Sequence, residues 1–228
     1  MAMNFSKSDS KTAIENIFQQ IQRSLASGAP VLWFVSGGSA IQIQTAIMQK
    51  LSQDVPDTLT QLTIMPVDER YGPVGHADSN GAQMRQAGFA AGRARWIDIL
   101  DGETLDETLA HYEALVDENF ARAKTVIATL GLGPDGHTAG VLPDSPAAYD
   151  TTSTVIGYNW SDYTRMTLGL AQLRQIDRAF VLAYGDAKCA ALQRLHDNQE
   201  VISTLPAKVL YDIPRVTVYN DCLESEGY

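Results

Sequence analysis

Cysteine is scarce in this chain of 228 residues, which has only Cys189 and Cys222. Two thiols in so long a chain do not indicate a disulfide scaffold, and they lack the ligand spacing of a zinc site. A reducing, cytoplasmic location is therefore the simplest prediction. Cys189 is expected to be a small buried apolar residue rather than a nucleophile, because no base is evident near it.

Long apolar runs and an excess of positive charge are also missing. No apolar stretch approaches the roughly 20 residues of a membrane span, and the polar start at 1–11 lacks the apolar core of a signal peptide. With 17 Lys and Arg against 27 Asp and Glu, the net charge is −10. This balance disfavours nucleic acid and anionic lipid as partners. Binding of a small anionic ligand is still compatible with this charge, provided that a few local cations contact it.

The rest of the sequence alternates short apolar runs with helical patterns. Strands are predicted at 31–35, 62–67, 125–130, 155–158, 166–170, 180–184 and 215–219, and helices at 13–25, 43–51, 105–120 and 185–195. Strands that alternate with helices predict an α/β fold with a mainly parallel sheet and helices on both faces. No linker or internal repeat divides the chain, which predicts one domain over residues 1–228.

The first glycine loop, Ser36-Gly37-Gly38-Ser39, lies between a strand and a helix. Backbone amides at the start of a helix, with the positive end of its dipole, suit a phosphate or carboxylate. The loop matches neither a dinucleotide fingerprint nor a P-loop. A tight turn with Ser39 as the N-cap explains the same residues, so both interpretations stay open.

Three consecutive charges, Asp68-Glu69-Arg70, close the next predicted strand. Neighbouring residues of an extended segment point to opposite sides, so Asp68 and Arg70 would share one side. Arginine can bind phosphate through a forked pair of hydrogen bonds. A solvated charge cluster is the alternative. Ser79-Asn80, further along, is explained by helix capping alone.

The richest segment is the glycine loop 131–140, which follows the predicted strand 125–130. Open α/β sheets bind ligands in loops of this kind, and a histidine there, His137, can exchange a proton near neutral pH. Asp135 could orient its ring or shape the loop, and an ordinary turn is the competing interpretation. Further cations follow: Arg165 begins an apolar strand, and Lys188 starts a helix, where a cation opposes the dipole. The histidines and cysteines lack metal-site spacing, so no metal and no cofactor are predicted.

In this order, the segments resemble the 6-phosphogluconolactonase family. The resemblance rests on Ser36–Ser39, on Asp68-Glu69-Arg70 with Pro73 and Ser79-Asn80, on the loop Gly131–Ala139, and on Arg165–Leu168, Gly185, Lys188 and Leu205-Pro206-Ala207. Each match is weak alone, but the ordered set is specific. The resemblance implies a Rossmann-like α/β fold and hydrolysis of 6-phosphoglucono-δ-lactone in the oxidative branch of the pentose phosphate pathway. It implies a sugar-phosphate substrate, and a monomer is slightly favoured.

The resemblance also implies roles for the residues in these segments. His137 would be the general base, Asp135 would support it, and Asp68 would orient water, contact sugar hydroxyls or hold Arg70. The substrate, with its phosphate, would be bound by Ser36, Gly37, Gly38, Ser39, Arg70, Arg165 and Lys188.

Glucosamine-6-phosphate deaminase is the closest rival, and a sugar-phosphate sensor of the same fold is a second alternative. In the deaminases a glutamate after the histidine supports it, whereas the corresponding stretch 139–144 has none here. Arg70 also replaces the tyrosine that is usual in the deaminases. Departures from the lactonase pattern are Ala40, Gly140-Val141-Leu142, and the segment 158–164, which lacks the family's prolines and whose course the sequence does not predict.

Overall fold

The computed structural model of the chain describes residues 3–161 and 163–223. Its strands, numbered along the chain, are β1 (Asn4–Lys7), β2 (Val31–Val35), β3 (Leu62–Pro66), β4 (Asp68–Arg70), β5 (Arg95–Trp96), β6 (Thr125–Gly131), β7 (Val155–Trp160), β8 (Tyr163–Leu168), β9 (Arg178–Ala183) and β10 (Val216–Asn220). Its α-helices are α1 (Ser10–Leu25), α2 (Ile41–Asp54), α3 (Asn80–Gln86), α4 (Leu105–Arg122), α5 (Pro146–Tyr149), α6 (Leu170–Leu173) and α7 (Cys189–Asp197).

Seven of the strands form a parallel sheet in the order β1-β10-β9-β6-β2-β3-β5. Strand β2 shows why both faces of this sheet are covered. Trp33 packs in the cluster that holds the apolar side chains of α1 and α2, while Leu32 and Phe34 pack in the opposite cluster with α4 and α7. A central strand that is buried on both sides reads as a continuous apolar run. The predicted α/β class, a mainly parallel sheet with helices on both faces, is therefore confirmed.

A second sheet of three antiparallel strands, β4-β8-β7, was not foreseen. The runs predicted at 155–158 and 166–170 contribute strands to this sheet, although β8 ends at Leu168 and Leu170 begins α6. A very short connection joins β7 to β8, and such a connection forces antiparallel pairing because a parallel pair needs a long crossover. Only Val67 separates β3 from β4, so the chain passes directly from the large sheet to the small one. The small sheet thereby stands beside the carboxyl edge of the large sheet.

The helix starts follow the local sequence. The Thr12 N–H donates to Asp9 Oδ1 at 2.8 Å, which makes Asp9 the cap of α1. Thr104 and Glu107 form a reciprocal capping box at the start of α4. None of the helices in the described ranges is both long and apolar enough to cross a membrane.

The cysteine prediction is wrong. Cys189, the first residue of α7, is bonded to Cys222, which follows β10. Neither is a free buried thiol: both are only half-buried, and their Cα atoms lie 5.7 Å apart. The pairing arises from topology, because β10 lies beside β9 and α7 begins a few residues after β9 ends.

Candidate active site

A cleft opens at the carboxyl edge of the parallel sheet, between that edge and the small sheet. Residues from both glycine loops and from both sheets line it, together with a lysine that precedes α7. They are Ser36, Gly37, Gly38, Ser39, Asp68, Arg70, Asn80, Gly131, Leu132, Gly133, Pro134, His137, Ala139, Arg165 and Lys188. Ligands of open α/β folds bind at this edge. All of the predicted site residues line the cleft except Asp135, which lies behind His137.

Asp135 fixes the imidazole of His137. Its Oδ1 atom lies 2.6 Å from His137 Nδ1 and accepts the His137 backbone N–H at 3.1 Å. Burial raises the pKa of Asp135, but the hydrogen bond and the charge of His137 outweigh it and lower the pKa overall. The carboxylate is therefore ionised and draws the ring proton to Nδ1. The second nitrogen, Nε2, then carries the lone pair that a general base needs.

The glycine loop has a closed hydrogen-bond pattern. The Gly133 N–H donates to His137 O at 2.9 Å, and the Gly136 N–H donates to Gly133 O at 3.0 Å. A Cβ atom at Gly133 would overlap the ring of His137 and the carboxylate of Asp135, so only glycine fits there. The amides of Gly133, Gly136 and His137 are all engaged inside the loop. These amides are therefore less available to donate to an oxyanion, and the cations of the cleft are better placed to stabilise it.

Two arginines of the small sheet lie side by side in the wall of the cleft. Arg70 of β4 and Arg165 of β8 are directly opposed in register. No carboxylate in the described ranges forms an ion pair with either guanidinium. Like charges placed directly opposite each other destabilise a sheet. Two arginines in this position are typical of a site that binds an anion.

Asp68 is the buried acid of the cleft, with 6% of its surface exposed. Burial raises its pKa, although the charges of Arg70, Arg165 and His137 oppose that shift. Glu69, its neighbour in the extended chain, points the other way and caps α3. It accepts hydrogen bonds from the N–H groups of Arg70, Asn80 and Gly81 and from the hydroxyl of Ser79.

Asn80 is the residue that sequence reasoning missed. Ser79 caps α3 by accepting the Ala82 N–H at 3.1 Å, but capping does not explain the side chain of Asn80. Its Oδ1 accepts from Arg70 Nη1 at 2.6 Å, and its Nδ2 donates to Asp68 O at 2.9 Å. The same side chain fills the place where Gly37 would carry a Cβ. Asn80 thus joins the first glycine loop to the charged strand, although the sequence assigned it only to a cap and to the segment that resembles the lactonase family.

The first glycine loop enters α2 through a 3-10 turn, Gly38–Ala40, and Ser39 does not cap the helix. Instead, Ser39 Oγ accepts a hydrogen bond from Lys188 Nζ at 2.8 Å. Burial lowers the pKa of Lys188, and the nearby carboxylate of Asp221 partly offsets that shift. The hydroxyl of Ser36 is already used, because it donates to Thr129 O at 3.0 Å. Ser36 therefore shapes the loop, while Lys188 and Ser39 face the cleft.

Gly140, one of the departures from the lactonase pattern, is held by the small sheet. Its N–H donates to Thr167 Oγ1 at 3.0 Å, and its carbonyl accepts the hydroxyl of Tyr158. A Cβ at Gly140 would come within 2.7 Å of Thr167 Cβ, so this packing requires glycine. In the segment 158–164, whose course the sequence left open, residues 158–160 end β7 and residues 163–164 begin β8.

No group of three or more His, Cys, Asp or Glu residues within the described ranges is placed to hold a metal ion. What the cleft offers is an oriented imidazole, a buried carboxylate and three cations. That set suits acid–base chemistry on an anionic substrate.

Several known proteins are similar in sequence to this chain. A 6-phosphogluconolactonase of Pseudomonas aeruginosa is 33% identical over 132 residues, 56% of this chain and about half (52%) of that protein. One of Neisseria meningitidis is 31% identical over 178 residues, 73% of this chain and 74% of that protein. A glucosamine-6-phosphate deaminase of Staphylococcus saprophyticus is 24% identical over 83% of this chain and 84% of its own length.

Solved structures agree on the fold. A 6-phosphogluconolactonase from Shewanella baltica superposes with a TM-score of 0.79 at 20% identity, covering 96% of this chain and 98% of that one. A monomeric glucosamine-6-phosphate deaminase reaches 0.76 at 18% identity over 96% of this chain and 97% of its own. The model of the family described as glucosamine-6-phosphate isomerases/6-phosphogluconolactonase matches residues 6–218. This chain belongs to that family.

Proposed function

We propose that the protein is a 6-phosphogluconolactonase, which hydrolyses 6-phospho-D-glucono-1,5-lactone to 6-phospho-D-gluconate. The observation that carries this proposal is the pairing of His137 with Asp135 in a cleft that also holds Arg70, Arg165 and Lys188. A lactone ester needs one group that removes a proton from water and returns it to the leaving oxygen. The substrate's phosphate group is negatively charged, so its binding site needs cations. The relatives named as lactonases in Pseudomonas and Neisseria support the same assignment.

In this mechanism, His137 Nε2 removes a proton from a water molecule as its oxygen attacks the lactone carbonyl carbon. The carbonyl electrons move to oxygen, and the overall positive potential of the cleft stabilises the resulting oxyanion. When the oxyanion collapses, the bond to the ring oxygen breaks, and His137 returns the proton to that oxygen. Asp135 keeps the ring oriented and stabilises its charged form. The products are a carboxylic acid, which ionises, and a free hydroxyl.

The phosphate would lie between the first glycine loop and the two arginines. Lys188 and Ser39 approach it from the large sheet, and Arg70 and Arg165 from the small one. A dianion there removes the repulsion between the two guanidinium groups. No cofactor takes part in this proposal.

Replacing His137 with Ala tests the role of the base. Because general acid–base help is worth roughly 10²–10⁴ in rate, we expect kcat to fall by about that factor while KM stays within a few-fold. Acid release from freshly generated lactone, corrected for spontaneous hydrolysis, measures it. Unchanged turnover would remove His137 from the mechanism.

Glucosamine-6-phosphate deamination is the second candidate, because Asp68 shares the cleft with His137 and a related deaminase aligns over most of the chain. The stretch 139–144 contains no glutamate beside His137, which favours the lactonase. Assays with both substrates separate them: acid from the lactone without ammonia from glucosamine 6-phosphate supports the proposal. Ammonia without acid would refute it. Binding of sugar phosphates without either reaction would indicate a sensor.

A cytoplasmic location and a monomeric state also belong to the proposal. The cysteine count no longer supports the location, since the two cysteines are bonded to each other. It now depends on the substrate, because an anionic phosphate ester does not cross a bilayer unaided. Cell fractionation tests the location, and light scattering of the purified protein tests the oligomeric state.

A further inference from the structure

The β7–β8 hairpin carries a tyrosine, Tyr163, that the proposed mechanism does not use. It lies two residues before Arg165 on β8, so both side chains leave the strand on the same face. The centre of its ring lies 5.5 Å from Cζ of Arg165 and 5.8 Å from Cζ of Arg70. One aromatic ring thus contacts both guanidinium groups of the cleft.

Few other contacts hold these arginines. Arg165 makes no side-chain hydrogen bond to any residue in the described ranges, and its buried Nε has no partner. Arg70 donates from Nη1 to Asn80 Oδ1 and to Asp78 O, while its own buried Nε has no hydrogen-bond partner in the part of the chain that the structure describes. The negative face of an aromatic ring attracts cations. Tyr163 therefore contacts both cations together, and its ring face adds to the attraction that the buried carboxylate of Asp68 exerts on them.

The ring is itself anchored. The Tyr163 hydroxyl lies 3.4 Å from Asp78 Oδ1, and the carbonyl of Asp78 accepts from Arg70. Asp78 thereby connects the ring of Tyr163 to Arg70. An anion then meets two guanidinium groups that are already placed, so less side-chain freedom is lost on binding.

We propose that Tyr163 is a positioning residue that pre-organises Arg70 and Arg165 for the phosphate of the substrate, and so sets the affinity for phosphorylated lactones. The inference rests on the proposed function for the identity of the substrate. In this role the face of the ring, rather than the hydroxyl, positions the two guanidinium groups.

Two variants separate the ring from the hydroxyl. Tyr163→Leu removes the ring face, and it should raise KM for the lactone about five- to tenfold while kcat stays within twofold. Tyr163→Phe keeps the face and should restore KM to within twofold of the wild type. Tyr149→Leu, the same change at an exposed tyrosine outside the cleft, is the matched control. A fall in kcat at constant KM, or equal effects of Leu and Phe, would overturn the proposal.

Binding of inorganic phosphate, measured by calorimetry at constant pH, is a readout that does not depend on turnover. Its Kd should rise for Tyr163→Leu, and that rise should largely vanish when Arg165→Gln is already present. Additive effects of the two changes would contradict a shared role. If the wild type releases no acid from the lactone, the proposed function fails, and this titration still decides the role of Tyr163.

Because Tyr163→Leu also removes packing from the hairpin, fluorinated phenylalanines at position 163 test the ring without that loss. They keep the shape of the ring but progressively withdraw negative charge from its face. Phosphate Kd should rise stepwise from phenylalanine to the most fluorinated ring, with an unchanged midpoint of thermal unfolding. A Kd independent of fluorination would show that the ring only fills space.

Discussion

At the scale of single residues, the proposed general base His137 depends on one neighbour, Asp135. Asp135→Asn keeps the size of the side chain but removes the charge that stabilises protonated His137, and its amide can hold the ring in the wrong tautomer. We expect kcat to fall about 10²- to 10⁴-fold with KM nearly unchanged. Steady-state kinetics beside Asp54→Asn, an equal charge change on an exposed helix end, provides the test. A kcat within twofold of wild type would show that the loop alone orients the ring.

Some residues of the cleft could be predicted from the sequence and others could not. His137, Arg165 and Lys188 could be predicted to line the cleft, because each is unusual in its place: His137 in a glycine loop, Arg165 at the beginning of an apolar run and Lys188 at the start of a helix. Asn80 was not, because an asparagine after a cap is ordinary, and its function follows from the approach of Gly37 and Arg70 across the fold. Ser36 was assigned to the substrate, although its hydroxyl is used by a neighbouring strand.

At the scale of elements, the start of α3 depends on a buried carboxylate. Glu69 has 2% of its surface exposed and accepts four hydrogen bonds, three of them from backbone N–H groups. Glu69→Gln leaves one acceptor oxygen in place of two, so at least one buried donor loses its partner. The free energy of unfolding should fall by about 2 kcal/mol, measured by urea denaturation.

Glu113→Gln, at an exposed position on α4, is the control for this change and should leave the unfolding curve unchanged. Because Glu69 also fixes Asn80, the Gln variant should bind inorganic phosphate less tightly. Full stability in Glu69→Gln would mean that α3 is held by its packing rather than by its cap.

The charge of Lys188, in the turn before α7, depends on the carboxylate of Asp221, which follows β10. Burial lowers the pKa of this lysine and Asp221 partly offsets the shift, so Asp221→Asn should lower the pKa further. A lysine with a lower pKa loses its charge at a lower pH. Phosphate affinity should therefore begin to fall at a lower pH in the variant than in the wild type.

Calorimetric titrations of inorganic phosphate between pH 7 and 10 measure this shift. Asp186→Asn removes an exposed carboxylate two residues from Lys188 and is the matched control. Equal pH profiles for Asp221→Asn and wild type would exclude Asp221 as the partner of Lys188.

At the scale of the whole molecule, periodicity predicted the large sheet but not the small one. Buried parallel strands read as apolar runs, so β2 and β6 were visible in the sequence. Whether a run joins a parallel or an antiparallel sheet depends on its connections. The short β7–β8 turn was hidden in a segment whose course could not be predicted. β1 was missed because it is a short, polar strand at the edge of the sheet.

The disulfide also belongs to this scale, because it joins the segment after the edge-proximal strand β10 to the first residue of α7. Cys189 and Cys222 are 33 residues apart, and closing a loop of that length restricts the unfolded chain. The loop-entropy model gives about 3 to 4 kcal/mol. The double variant Cys189→Ser/Cys222→Ser should lose about that much free energy of unfolding, and the wild type should lose the same amount in dithiothreitol. The variant should show no further change in dithiothreitol, which separates the bond from other effects of the reductant. Equal stability of oxidised wild type and double variant would mean that packing alone holds the segment after β10 against α7.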